Sequence, residues 1–225
     1  TLVEGTDNVE SHTYASDGQY VVTVDPIINR YHSLALTKQD KVIDVLNWGT
    51  FIGQGVRFCT NLNNTLSAID EPDWSEFPIY DLAHGIFRGS IFVDGVSHWF
   101  RETSNSTVAQ RMFSHNTSYN EDLSGWDTSG FTTMSLMFNG SSSFNQSLAS
   151  WNISSCTTMS QMIQGSGMST ANYDATLIGW AAQAPNIQSN VVFNVGPKYT
   201  SAAQSARDLL VNTYSWTITD GGLQT

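Results

Sequence analysis

An internal copy constrains this chain more than any other feature. From Met112 it reads MFSHNTSYNEDLSGWDTSGFTTMSL, and from Met137 it reads MFNGSSSFNQSLASWNISSCTTMSQ. At a fixed offset of 25 the pairs Met112/Met137, Phe113/Phe138, Tyr119/Phe144, Asn120/Asn145, Leu123/Leu148, Trp126/Trp151 and Met134/Met159 coincide. A third copy starts on schedule at Met162 and Ile163. It takes four extra residues before Tyr173, Leu177 and Trp180 fill the aromatic, leucine and tryptophan places. A period of this size implies stacked units, each the length of a leucine-rich repeat and too short for a helix pair.

One such unit cannot bury its own aromatic and thioether side chains, whereas neighbours on both sides can. The expected core is therefore Met112, Phe113, Tyr119, Leu123, Trp126, Met134, Met137, Phe138, Phe144, Leu148, Trp151, Met159, Met162, Tyr173, Leu177 and Trp180. Met134, Met137 and Phe138 stand at helical spacing, as do Met159, Met162 and Ile163, which predicts about two turns of helix over 132–138 and 157–163. Asn120 and Asn145 are expected to bond backbone groups of the next unit, so satisfying polar atoms turned inward. The fold class that follows is an α/β solenoid, leucine-rich-repeat-like, in coils of about 25 residues.

The pattern MF–(5)–FNQ-x-L-x-x-W-[DN]-x-S-x-x-T-x-M-x-x-M resembles the BspA-type surface-protein repeat, a relative of the leucine-rich repeats. The ending, from NYDATLIGWAA to WTITDGG, is similar to the terminal portion of such proteins. The string HTYASDGQYVVTV resembles the last two strands of a PKD-type immunoglobulin-like domain. The resemblance implies adhesion, surface display and protein contact, and brings no catalytic residues with it.

Four segments follow. Residues 1–30 are a partial PKD-like hairpin capping the stack, with strands around an Ala15-Ser-Asp-Gly18 turn. Two strands alone are marginal in water, so the hairpin must pack on the first coil or accept a strand from another chain. Residues 31–111 are degenerate coils, 112–185 the regular repeats and 186–225 a C-terminal cap. In that cap Asn190–Val195 is β-prone, Ser201 is the expected N-cap of a helix over 202–214, and Trp216–Thr219 is a closing strand.

Composition narrows the partners. Charged residues make up 13%, about half the usual ~25%, and the net charge is −11 with only 9 Lys+Arg. Such a chain repels nucleic acid and anionic membranes. Between Met112 and Pro197 there is no Lys or Arg, and the acids are only Glu121, Asp122, Asp127 and Asp174. Contacts made by that surface should be insensitive to salt. No run approaches the ~20 apolar residues of a membrane span, and no signal peptide is evident; a chain that starts at Thr1 is expected to be a mature or trimmed product.

Candidate chemical sites read blandly. His12, His32, His84, His98 and His115 show no ligand spacing and no Cys partners, so no metal and no cofactor is expected. Asp70, Glu71, Asp73, Glu76 and Asp81 lack the Gly-punctuated alternation of a calcium loop. No G-x-S-x-G motif supports a serine nucleophile. Cys59 and Cys156 read as buried apolar residues, Cys156 standing in the place of Phe131. Asn63, Asn105, Asn116, Asn139, Asn145 and Asn152 fit the N-glycosylation triplet, though composition alone yields most such matches. Asn145 and Asn152 are expected to be inward or tightly packed. An exposed row of Trp126, Trp151 and Trp180 would make a sugar platform; their place beside Leu favours core.

The expected function is non-enzymatic: an extracellular, cell-surface or particle-surface protein that recognises a protein or glycan on another surface through many weak hydrogen bonds. The rival is a structural subunit of a filament, sheath or virus particle that contacts copies of itself. Neither involves nucleic acid or membrane insertion.

Overall fold

A computed structural model describes residues 108–225 in full, and before them only the backbone of four short strands. Strands β1 (His32–Ser33) and β2 (Val56–Arg57) pair in parallel, as do β3 (Thr65–Leu66) and β4 (Ile91–Phe92). In both pairs the partners stand about one repeat length apart. The expected hairpin over 8–25, Cys59, the acidic stretch 70–81 and the side chains of His12, His32, His84 and His98 lie outside the described residues.

From Val108 onward, equivalent positions of successive units lie side by side. Parallel bridges join Val108 to Thr133 and Thr133 to Thr158. Met159 N–H then donates to Val192 O, and β5 (Val192–Asn194) pairs in parallel with β6 (Thr217–Thr219).

The expected helices over 132–138 and 157–163 are absent. Both stretches are ribbons of turns whose backbone bonds alternate in direction. Met134, Leu136, Phe138 and Gly140 donate their N–H groups to Thr158, Ser160, Met162 and Gln164 of the next unit at 2.7–3.1 Å. Met137, Asn139 and Ser141 turn back to Met134, Leu136 and Phe138. An α-helix needs every N–H for the carbonyl four residues back, and here half of them serve the neighbouring unit. Arg111, Leu136 and Gln161 carry positive φ at equivalent places, as do His115, Gly140 and Gly165. A left-handed residue costs about 1–2 kcal/mol unless it is Gly, and the bonds between units offset that cost. The Met-x-x-Met-Phe spacing still turns Met134, Met137 and Phe138 inward, each 0% exposed.

The helix that does form lies on the return side. α1 (Thr170–Ala181) starts at Ser169, whose Oγ accepts from Asn172 N–H. The four extra residues fall ahead of Tyr173, and Tyr173, Leu177 and Trp180 lie on the buried face of the helix. The repeat register puts these residues in the core but predicts no helix there. α2 (Gln204–Asn212) is shorter than the expected 202–214, and its N-cap is Ala203, with no side-chain bond. Ser201 is not the cap. Asp174 binds Thr200 through both N–H (2.9 Å) and Oγ1 (2.5 Å), which fixes a turn from Thr200 to Ala203 before the helix begins. Leu210 is buried, with Ala206, Leu209 and Tyr214 packed against the core.

Every expected core residue described above is at most 4% exposed. The rings repeat along the stack. Phe113 lies on Phe138 at 5.3 Å and 1°, Tyr119 on Phe144 at 6.3 Å and 2°, and Trp126 on Trp151 at 6.1 Å and 3°. Indole N–H groups peg one unit to the one before it: Trp151 Nε1 donates to Leu123 O at 2.9 Å and Trp180 Nε1 to Leu148 O at 2.8 Å. Cys156 is fully buried, and burial pushes its thiol up to about 12. At the C-terminal end Arg207 Nε meets Asp220 Oδ2 at 2.7 Å, and Tyr173 OH donates to the same oxygen.

Candidate interaction surface

The bridges between units set short polar side chains in register. Thr133 and Ser135 flank buried Met134, as Thr158 and Ser160 flank Met159. Their hydroxyls bond one another: Thr133 Oγ1 donates to Ser135 Oγ at 3.4 Å, and Ser135 Oγ lies 3.3 Å from Thr158 Oγ1. Thr157 Oγ1 donates to Thr132 O across the units. The strip is thus ordered by its own bonds, with Thr133, Thr158 and Ser160 half-buried and Ser135 only 8% exposed. Strands stack about 4.8 Å apart, which leaves no room beside these residues for bulky neighbours.

A second polar column runs through the asparagines. Asn120 Oδ1 accepts from Asn145 N–H at 2.7 Å, and Asn145 Oδ1 accepts from Ser169 N–H at 2.8 Å. Gln146 Nε2 reaches back to Asn120 O and Oδ1, and Asn172 Nδ2 does the same at Asn145. The expected ladder contacts are present, but not on an inward face: Asn120 is exposed and Asn145 half-buried. The amides tie the units together along a surface edge.

Turns on the return side are also repeated. Asp122, Asp127 and Asn152 each accept, through Oδ1, the N–H of the residue two places on, while Ser147 Oγ accepts from Ala149 N–H. The Ser124 N–H holds the Asp122 carboxyl below its ordinary value. Asn152, expected to be packed, is exposed. It lines a shallow groove of about 650 Å³ between this loop and the C-terminal end of α1, with Ser150, Gly179 and Asn186.

Among the described residues no group of three His, Cys, Asp or Glu side chains is placed to hold a metal ion. His115 is exposed, with Nδ1 2.8 Å from the Oγ of buried Ser114. Asp174 is 8% exposed and committed to Thr200. The indoles of Trp126, Trp151 and Trp180 are interior and offer no stacking platform for a sugar. The hydroxyl strip and the Gln146 and Asn172 clamps were not singled out from the sequence. Thr133/Thr158 and Ser135/Ser160 carried the signal, since they recur at the same offset as the core.

These features define a repeat protein whose polar surface is built by the same bonds that join its units. A family model described as "Mycoplasma protein of unknown function, DUF285" matches residues 57–176, and the chain belongs to that family. No curated protein and no solved structure matches it. Among the described residues, no helix is long and apolar enough to cross a membrane.

Proposed function

We propose that the protein is a BspA-like, leucine-rich-repeat-type solenoid that works at a cell or particle surface as a non-enzymatic recognition module. Its partner is a protein or glycan on another surface. The observation that carries this reading is the face of ordered hydroxyls and amides, with no Lys or Arg from Met112 to Pro197. Such a face supplies many directional but individually weak hydrogen bonds, each of about 0.5–1.5 kcal/mol net. Several copies displayed together raise avidity without any new contact.

Neutrality makes the reading testable. Raising salt from about 0.1 M to about 1 M shortens the screening length from about 10 Å to about 3 Å, which abolishes long-range charge attraction and leaves hydrogen bonds and shape fit. Purified protein applied to immobilised glycans and to intact cells should therefore bind with an affinity that survives high salt. Binding lost at high salt, or no binding to any surface, would overturn the proposal.

A further inference from the structure

The four glycosylation triplets among the described residues are not equivalent in the fold, and the structure separates one of them from the other three. Asn116 is 0% exposed, with neither side-chain amide atom hydrogen-bonded. A sugar there would have to displace core. Asn139 is half-buried, and the hydroxyl of its triplet, Ser141 Oγ, is fully buried and donates to Phe113 O at 2.6 Å. Asn145 holds Ser169 N–H and Asn172 Nδ2 through its side-chain oxygen. Asn63 and Asn105 lie outside the described residues.

Asn152 differs from Asn116, Asn139 and Asn145. It is exposed, it borders the open groove beside the end of α1, and its loop is closed by the Ser154 N–H bond to its Oδ1 at 3.0 Å. The Ser154 hydroxyl takes no part in that closure. The preceding unit shows what this position needs for folding: Asp127, its counterpart, makes the same bond to Ser129 N–H. A carboxylate serves the turn as well as an amide, so the turn does not require the nitrogen.

We propose that Asn152 is an acceptor for N-linked glycosylation, a reading that rests on the surface location proposed above. The donor class is an oligosaccharide linked through pyrophosphate to a lipid. The Asn152 Nδ2 forms a bond to the anomeric carbon of the reducing-end sugar. The bond from that carbon to the pyrophosphate oxygen breaks, the lipid pyrophosphate leaves, and the amide gives up one proton to a base on the transferase. The Ser154 hydroxyl is the element the transferase reads.

The test is secretion of the chain behind a host leader in eukaryotic cells, with glycopeptide mass spectrometry on the folded, secreted fraction. The wild type should carry its glycan at Asn152 and not at Asn116, Asn139 or Asn145. Asn152→Asp and Ser154→Ala should each lose that glycoform completely while keeping the thermal midpoint of the enzymatically deglycosylated wild type. Asn139→Gln should leave the glycoform unchanged. An unmodified Asn152 in secreted wild type, or equal occupancy at Asn116, Asn139 or Asn145, would overturn the assignment. Because the host leader enforces export, that failure is distinct from failure of the surface reading, which would show as native protein retained inside its own cell.

Discussion

Gly179 offers the sharpest test of how closely the units approach, because two ordinary expectations for it point in opposite directions. It sits inside α1, where Ala is favoured over Gly by about 1 kcal/mol. Helix propensity alone thus predicts that Gly179→Ala stabilises the protein. A Cβ at this position would lie 2.5 Å from Ala149 O and 2.7 Å from both Ala149 Cα and Cβ. Comfortable carbon contacts need about 3.5–4.0 Å, so helix and loop would have to separate by roughly 1 Å.

Backbone cannot swing aside as a side chain can, and this loop is pinned. Leu148 N–H donates to Thr176 Oγ1 at 3.0 Å, and Leu148 O accepts from the Trp180 indole at 2.8 Å. Separation would stretch both bonds. Overpacking of this kind costs about 1–3 kcal/mol, and weakening a buried hydrogen bond adds about 1 kcal/mol. With about 1 kcal/mol returned by propensity, the net is a loss of roughly 1–3 kcal/mol. For a chain of this length that lowers Tm by about 3–10 °C. Calorimetry or circular dichroism melts of the two proteins decide it, and Ala149→Gly added to the variant should restore only part of the loss, because the clash with Ala149 O remains. An unchanged or raised Tm for Gly179→Ala would refute the close approach and the clamp built on it.

Other perturbations test the remaining contacts. Trp151→Phe leaves Leu123 O without its indole donor and opens space beside Trp126 and Phe138; urea titration should show a loss of about 3 kcal/mol. Asn145→Ala strands Ser169 N–H at the start of α1 and should cost about 1–2 kcal/mol, whereas Asn145→Asp, which keeps an acceptor for the same donors, should cost less than half of that in the same titration. Burial pushes the Cys156 thiol up to about 12 against about 8.5 in an unfolded chain. The folded state therefore holds its proton more tightly, so this contribution is intact below about pH 8.5 and is lost as pH climbs towards 12. Thiol-reagent labelling at pH 8 should accordingly proceed only at the rate of unfolding, and fast labelling of native protein would contradict the burial.

The core was legible because burial repeats as letters do. Met137 takes the place of Met112 and Trp151 that of Trp126, whatever backbone lies between them. The backbone was harder to read. Met134, Met137 and Phe138 satisfy a helical spacing, and nothing local reveals that alternate N–H groups are claimed by residues 24 positions away in the next unit. The same blindness hid α1, since its Tyr173, Leu177 and Trp180 had already been explained as displaced repeat positions. At α2 the stronger determinant was Asp174, remote in sequence, which holds Thr200 and sets the turn that Ser201 was expected to provide. The polar surface was half legible: Asn120 and Asn145 were found, but the hydroxyl strip was read only as composition.

That strip constrains how the surface can vary. Thr133 and Thr158 are half-buried and Ser135 is only 8% exposed; their hydroxyls bond one another beside backbones that bridge the units. Replacing one with a long charged side chain forces it over neighbours about 4.8 Å away and breaks a shared hydrogen bond. The return side is restricted only where a hydroxyl bonds the neighbouring unit, as Ser150 Oγ does to Ser124 O and Thr128 Oγ1 to Asn152 O. Its turns require only an acceptor at positions such as Asp122, Ser147, Asp127 and Asn152, and three residue types already fill that role. Partner specificity that has to change is thus more easily written on the return loops and their groove, while the hydroxyl strip stays uniform. Charge-introducing substitutions compared at two half-buried sites should separate the two faces: Thr158→Lys should lower Tm, and Ser155→Lys, on the return loop, should leave it within the ordinary scatter of surface changes, about 0.5 kcal/mol either way. Equal tolerance of the two would mean that the strip is not held by its own bonds, and the case for a pre-ordered recognition face would lose its physical basis.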